Sequence, residues 1–557
     1  MAERNPDGPG RVGQPPEPHL VAHARSRAAD VHVATTAEGL AGALAPPSQP
    51  SGSLDAGAGE RDDGRAPLEL ISRLCRALDD EQVRYCHWKS NEALDRSATG
   101  ENDLDLLVSR SDARRFEEVL RRLGFVDARL PRWKQLPGVW HSYGLDEASG
   151  RLVHIHAHYL LLIGDDMTKN YHLPIEEPYL ASAVPMSPFM IPAPEYELAL
   201  FLVRMVIKHS TWDAMLTLQG SLSASERREL THLLGQVDPL QVWPIMGTHL
   251  PFIHRELWER CLRSVQPGSS IWFRLTTASR LQRALVACSR RGRAVDTYLR
   301  MWRRVRTFVR RRVFKRRPVP KRLGTGGLLV AVVGGDGAGK STAVEDLSTW
   351  LAQDFLTAAV HLGKPPRSLL SAVVKGAMEI AATIRRSPTS SGPALRESLA
   401  GSNGGSMGPR NTARLVWEVL TARDRYRAYR RARRTASNGS LVICDRYPLP
   451  EIELMDGAVS VRMADPSRWG HLVRYLADLE RSFYHRIAYP DVLIVLRVDP
   501  DLAVQRKREE RESFLRPRSE EIWLKDWSGT PAVVIDAGRP KAEVLSQIRS
   551  VVWSRLS

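Results

Sequence analysis

The sequence predicts a mixed α/β protein: a carboxyl-terminal parallel sheet flanked by helices, a smaller amino-terminal α+β domain and a helical middle region. Three observations carry this. Four apolar runs without alternation, LLVAVV (328–333), SLVICD (440–445), DVLIVLRV (491–498) and AVVIDA (532–537), are separated by helical stretches, as strands buried on both faces require. Residues 66–185 mix short strands with amphipathic helices, and residues 186–324 show helical periodicity with no trustworthy strand alternation.

Taken in order, residues 1–65 are rich in Pro, Gly, Ala and Ser, hold too little apolar surface to offset ordering entropy, and read as a disordered tail. A helix follows (LELISRLCRALDD, 68–80), then a short strand from Val83 to His87, the strand DLDLLV (103–108), a helix SDARRFEEVLRRLGF (111–125) and a strand within LVHIHAHYLLL (152–162). The middle region has helices in EYELALFLVRMVIKHS (195–210) and SERRELTHLLGQV (225–237). The last domain begins near residue 325, after a Gly-rich break.

Composition narrows the class. At 557 residues the chain is too long for one domain. Its five cysteines (Cys75, Cys86, Cys261, Cys288, Cys444) are scattered and form no C-x-x-C pair, against a disulfide framework or a zinc ribbon. No apolar run reaches the ~18 residues of a membrane span, and the first residues lack a signal-peptide core. A cytoplasmic protein is expected, peripheral at most to the inner face of the membrane. The formal charge of +17 is concentrated: residues 280–322 hold 17 Lys or Arg against one acid, Asp296.

The strongest motif is Gly334-Gly335-Asp336-Gly337-Ala338-Gly339-Lys340-Ser341-Thr342, which fits G-x-x-x-x-G-K-[ST] with a strand before it and a helix after it. Glycines let successive N–H groups point at a phosphate, and the helix amino end adds partial positive charge. The spacing predicts that Lys340 reaches the β- and γ-phosphates of ATP and that the Ser341 hydroxyl sits on Mg²⁺. Asp445 ends the strand LVICD at the sheet's carboxyl edge, where it can hold the metal's water shell. Arg446 can then fork onto an acceptor phosphate.

These residues resemble the thymidylate kinases and related nucleoside-monophosphate kinases over about 325–557. The resemblance rests on GGDGAGKST, the ARDR of Ala422 to Arg425, the CDRYP of Cys444 to Pro448, Tyr489 to Lys507, and VIDAGRPKAEVLSQI. It implies that Arg425, Asp445 and Arg446 hold the acceptor nucleotide. It also implies that a lid arginine stabilises the transferring phosphoryl group, from among Arg506, Arg508, Arg511, Arg516 and Arg518, with Arg511 the first choice. Read blandly, that arginine tract is a solvated helix face. The stretch Asp445-Arg446-Tyr447-Pro448-Leu449-Pro450 departs from the family's thymine-reading pattern, and a Gly/Ser-rich insertion (Ser387 to Gly408) interrupts the region before ARDR. Donor binding is therefore expected, and thymidylate as acceptor is not specified.

In the first domain, Asp103 and Asp105 stand two apart on a strand, so both carboxylates can meet one divalent metal. With Lys89 and Asn91 as phosphate contacts, this stretch resembles a bacterial branch of the nucleotidyltransferase superfold. His154, in Val153-His154-Ile155-His156, stands where that branch carries a third carboxylate. An active nucleotidyltransferase and a degenerate binding domain both stay open. His154, His156 and His158 alternate on one strand face and suit either a softer ion such as Zn²⁺ or Mn²⁺, or hydrogen-bonded structural roles. The arm YLRMWRRVRTFVRRRVFKRRPVPKR (298–322) sets an apolar stripe among arginines. It suits an anionic membrane surface, a nucleic acid, or a helix packing its stripe on a neighbouring domain.

The leading expectation is an ATP/Mg²⁺-dependent phosphotransferase acting on a nucleotide or related phosphorylated small molecule, with a nucleic-acid partner less expected than an anionic membrane surface and a homodimer left open. The alternatives are a nucleotidyltransferase acting through Asp103 and Asp105 with the kinase fold as nucleotide sensor, or a non-catalytic ATP-binding regulator, with a link to surface-polysaccharide assembly.

Overall fold

Apolar runs too uniform to alternate become interior strands, and amphipathic stretches become the helices that cover them. The computed structural model describes residues 66–557 apart from 217–219, 240, 313–319, 364, 369–370, 375, 377–408, 463–469 and 508–510. The expected tail, the insertion Ser387 to Gly408, Arg508 and part of the basic arm lie outside the described residues.

The first sheet has the order β1-β2-β5-β4-β3-β10. Its strands are β1 (Tyr85–His87), β2 (Leu104–Val108), β3 (Val126–Arg129), β4 (Val139–Asp146), β5 (Arg151–His158) and, from far along the chain, β10 (Arg322–Leu323). Only β2 and β5 pair in parallel. Helix α1 (Glu69–Asp80) buries Leu70, Ile71, Leu74, Cys75 and Leu78, one face at helical spacing, and α2 (Ala113–Arg122) buries Phe116, Val119 and Leu120. Two small ribbons follow, β6 (Leu162–Ile163) with β7 (Tyr171–His172) and β8 (Val184–Met186) with β9 (Phe189–Ile191).

The helical region centres on α3 (Pro194–His209), which has Pro at its start, Glu195 and Glu197 in its first turn and Lys208 and His209 in its last. It is buried nearly all round, packed by α4 (Ala224–Gln236), α5 (Arg255–Val265) and α6 (Ile271–Ala284). Helix α7 (Arg293–Arg312) reverses one expectation. Its apolar stripe, Tyr298, Trp302, Val305, Phe308 and Val309, is exposed. The side turned to the protein carries cations instead: Arg300 pairs with Asp296 at 3.3 Å, Arg304 pairs with Asp165, and the Arg306 guanidinium lies 4.4 Å from the Trp133 ring centre. Among the described residues the stripe is thus not packed on a neighbouring domain.

The second sheet is wholly parallel, in the order β12-β13-β11-β14-β15, from β11 (Leu329–Gly334), β12 (Thr357–His361), β13 (Leu441–Asp445), β14 (Val492–Arg497) and β15 (Ala532–Asp536). Four of these are the expected strands, and β12 is an addition at the edge. Around them lie α8 (Lys340–Leu351), α9 (Pro409–Ser437), α10 (His471–His485), α11 (Pro500–Arg506), α12 (Glu512–Leu524) and α13 (Lys541–Ser554). One apolar core lies between α8 and α13 on one side and β3 and β4 of the first sheet on the other, with Tyr143, Leu145, Leu347, Leu351, Val552 and Trp553 among its members. Among the described residues, no helix is long and apolar enough to cross a membrane.

Candidate functional site

The central strand β11 is fully buried and delivers its last residues to a glycine-rich loop that opens α8. Gly337 and Gly339 take φ of +83° and +82°, where a side chain is strained, and a Cβ on Gly337 would lie 2.9 Å from the Ala503 carbonyl oxygen. Gly335 leaves room for Ser519 of α12, whose hydroxyl donates to the Asp336 carbonyl at 3.3 Å. Lys340 is buried, with Nζ donating to the Gly335 carbonyl at 2.6 Å and 3.6 Å from an Asp336 carboxylate oxygen. Burial draws the Lys340 ammonium below its ordinary value, and Asp336 pulls it back. Asp336 gathers two more cations, Arg518 at 3.2 Å and Arg446 at 3.7 Å. Burial raises its carboxyl, but these three neighbours outweigh burial and hold it below the usual range. Ser341 and Thr342 stand exposed in the first turn of α8.

Register brings β13 to the same edge: Asp445 is level with Val332 of β11 and His361 of β12. Asp445 Oδ1 is buried and has no hydrogen-bond partner among the described residues, while Oδ2 lies 4.0 Å from His361 Nε2. Arg446 takes a left-handed φ of 57°, a conformation that a side-chain-bearing residue adopts at a cost of about 1–2 kcal/mol. Gly363 makes room for it, since a Cβ there would meet Arg446 Cδ at 2.8 Å. His361 and Gly363 were not singled out by sequence, because β12 is a short edge strand.

Arg425 sits differently from its expected role. It is buried, with Nε donating to the Leu362 carbonyl at 2.7 Å, Nη1 to the Asp456 carbonyl at 2.8 Å and to the Tyr484 hydroxyl, and Nη2 to the Gly363 carbonyl at 3.1 Å. Its donors are committed to the fold. The lid candidates also separate. Arg506 donates to the Ala537 carbonyl at 3.0 Å, and Arg516 binds Asp501 at 2.7 Å and Glu512 at 2.9 Å. Arg511 stands exposed at the start of α12, whereas Arg518 reaches the loop through Asp336.

One cavity borders the loop and another lies beyond Arg446. One, about 230 Å³, is lined by Gly337, Gly339, Thr342, Arg506, Arg539 and Lys541. The other, about 420 Å³, is largely apolar and follows Arg446, with Tyr447, Pro448, Leu449, Tyr484 and Tyr489 in its wall.

In the first sheet, Asp105 lies on β2 and Asp103 just before it. Lys89 Nζ is 3.0 Å from Asp105 Oδ1. Burial raises the Asp105 carboxyl, but Lys89 and the histidines outweigh this and hold it well below the usual range. Asn91 is buried and turned to His87, with Oδ1 2.6 Å from Nδ1, rather than towards a ligand. His154 and His156 meet Asp103 at 2.8 and 3.7 Å. The neighbouring strand adds His141 and Tyr143, which sequence reasoning missed. Burial lowers the His141 and His154 rings to about 2 and about 4.

The fold and this edge define a mixed α/β protein with a parallel sheet whose central strand feeds a glycine-rich loop carrying a buried lysine. No protein-family model matches the chain. It is 30% identical to the uncharacterized ATP-binding protein YghR of Escherichia coli (strain K12) over 233 residues, 40% of this chain and 86% of that protein. YghR of Escherichia coli O6:H1 gives the same figures, and the uncharacterized ATP-binding protein YghS of strain K12 is 25% identical over 41% of this chain and 94% of its own length. The chain belongs to the family of YghR.

Proposed function

We propose that residues 325–557 bind ATP with Mg²⁺ and transfer its γ-phosphoryl group to an oxygen of a nucleotide or related phosphorylated small molecule, releasing ADP, in the manner of a thymidylate kinase-like enzyme. The observation that carries this reading is the convergence at one sheet edge of the loop 334–342, buried Lys340, and Arg446 and Arg518 drawn together on Asp336. Three cations around one carboxylate make a ready site for phosphate oxygens, which are stronger acceptors. The names of YghR and YghS as ATP-binding proteins support nucleotide binding here.

The residues fit the metal. Asp445 Oδ1, buried without a hydrogen-bond partner among the described residues, is an oxygen of the kind Mg²⁺ or its water shell takes, and Ser341 supplies a hydroxyl. When bound, Mg²⁺ neutralises charge on the phosphate oxygens. Lys340 holds the β- and γ-phosphates, Arg446 orients the acceptor, and Arg518 is the lid arginine best set to meet the transferring group. The 230 Å³ cavity suits the nucleoside end of ATP, and the apolar 420 Å³ cavity suits an acceptor with a flat ring or hydrocarbon part.

Incubation of the full chain with Mg²⁺, γ-labelled ATP and a panel of nucleoside monophosphates and phosphorylated sugars tests this. Label transfer lost in Lys340→Ala is expected. ATP binding without transfer to any acceptor would favour the regulatory reading. In a parallel reaction with α-labelled ATP, labelled nucleotide appearing covalently on RNA or protein and lost in Asp103→Ala would favour the nucleotidyltransferase reading.

The outward apolar stripe of α7 beside its arginines supports docking on an anionic membrane surface. Co-sedimentation with phosphatidylserine vesicles but not phosphatidylcholine vesicles, lost in a Trp302→Ala/Phe308→Ala variant, is the expected result.

A further inference from the structure

The proposed phosphoryl transfer leaves unused the imidazoles and carboxylates that converge in the first sheet. Strands β4 and β5 run antiparallel, with His141 opposite His156 and Tyr143 opposite His154, so strand alternation sets all four on one face. His141 Nδ1 is 3.2 Å from His154 Nε2. Two nitrogens bound to one tetrahedral ion at about 2.05 Å stand about 3.3 Å apart, so this pair already has ligand spacing. The His156 ring lies 4.5 Å from that of His141 and 4.3 Å from that of His154, nearly perpendicular to both. One donor nitrogen from each of the three rings falls within 4.8 Å of the others.

A second set of contacts orients the donors. His154 Nδ1 faces Asp103 Oδ1 at 2.8 Å, which places a proton on Nδ1 and leaves the Nε2 lone pair directed at His141. Tyr143 stacks on His154 with ring centres 4.2 Å apart and planes 6° from parallel, fixing the ring. Its hydroxyl in turn donates to Asp354 at 2.7 Å. Next along β5, buried His158 lies beside the cluster, with Nε2 3.5 Å from Asp105 Oδ1.

We propose that His141, His154 and His156 bind one borderline transition ion, zinc or its chemical equivalent, with Asp103 orienting His154 and a fourth position left open. Three neutral nitrogen donors, one pair of them already at ligand spacing, select such an ion over Mg²⁺, which takes oxygen. Asp103 has a side-chain exposure of 50%, so water or a substrate oxygen can reach the fourth position from its side. The site is distinct from the glycine loop and does not depend on the phosphotransfer reading.

The test uses the full chain, stripped with chelator and titrated with Co²⁺ under visible absorption, then with Zn²⁺. The expected result is one Co²⁺ per chain with the intense visible bands of tetrahedral ligation, displaced by one Zn²⁺ and unchanged in Lys340→Ala. His141→Gln and His154→Gln abolish the bands, and Asp103→Asn weakens affinity about 10–100-fold. Circular dichroism checks each variant, and if His154→Gln fails to fold, His141→Gln and Asp103→Asn decide. Absence of tetrahedral bands in the wild type, or bands that survive in a folded His141→Gln variant, overturns the site and leaves His141 and His154 as a plain N–H···N pair.

Discussion

Replacing Asp336 with Asn removes one negative charge from the centre of the glycine loop while keeping side-chain volume. Its carboxylate is 3.2 Å from Arg518, 3.6 Å from Lys340 and 3.7 Å from Arg446. At an effective dielectric near 20, each pair attracts by roughly 5 kcal/mol, much of it offset by desolvation. Removing one partner of a fully buried pair costs about 3–5 kcal/mol. Here the Arg446 and Arg518 side chains are 36% and 30% exposed and can turn to water, so only Lys340, at 8%, is trapped beside the loss. The expected destabilisation of the nucleotide-free protein is therefore about 2–3 kcal/mol, or roughly 2–3 °C in the transition of a folded unit that runs from Asp63 to Ser557. Phosphates bring negative charge to the same three cations, so saturating ATP should close at least half of the gap between variant and wild type. Scanning fluorimetry of both proteins, with and without ATP and Mg²⁺, reads this directly. A gap that ATP leaves unchanged would refute the idea that these cations serve phosphates.

Arg425→Ala orphans the Leu362, Gly363 and Asp456 carbonyls and should cost at least about 3 kcal/mol in urea denaturation; a raised KM for the acceptor at unchanged stability would return Arg425 to substrate binding. Arg518→Ala should lower kcat by about 10²–10³, as loss of a transition-state donor does, with Arg511→Ala close to wild type in single-turnover assays; the reverse order would make Arg511 the closing residue. Burial pushes the Glu197 carboxyl from 4.5 up to about 7. The folded state therefore keeps a proton that the unfolded chain releases, and stability falls as pH rises through about 4.5–7, by up to about 3 kcal/mol. Glu197→Gln should flatten that slope in urea melts at pH 5 to 8, and parallel slopes would count against the assignment.

The glycine loop was legible because its spacing is local: nine consecutive residues between a buried strand and a helix carry the whole signal. The four apolar strands were legible for the same reason, whereas β12, with half-buried and exposed residues along Thr357–His361, had no such pattern. His141 was hidden by register. Strand β4 reads VWHSYGLD, too mixed to stand out, and its histidine meets His154 and His156 only once the Glu147–Gly150 turn folds β4 onto β5. Counting outward from that turn would have paired them. Arg425 shows a complementary limit: a local ARDR stretch says nothing about the carbonyls of Leu362, Gly363 and Asp456, which approach from elsewhere in the chain. The arm's spacing likewise gave the apolar stripe of α7 but not its outward direction, which Asp165 and Trp133 decide by holding the arginines on the inner side.

The two sheets are joined more closely than a linker requires. Strand β10, immediately before the last domain, pairs with β3, with Leu323 beside Ala128. The Trp553 indole of α13 donates to the Gly124 carbonyl at 3.1 Å. Tyr143, which stacks on His154, also reaches Asp354 just beyond α8, the helix whose amino end carries the glycine loop. A fragment beginning at residue 325 would lose β10 and Tyr143 and expose Leu347, Leu351, Val552 and Trp553, which the shared core buries. Apolar surface of that kind drives association in water. The loop and the histidine cluster accordingly rest on one shared core, and the chemistry of either has to be measured in the full chain.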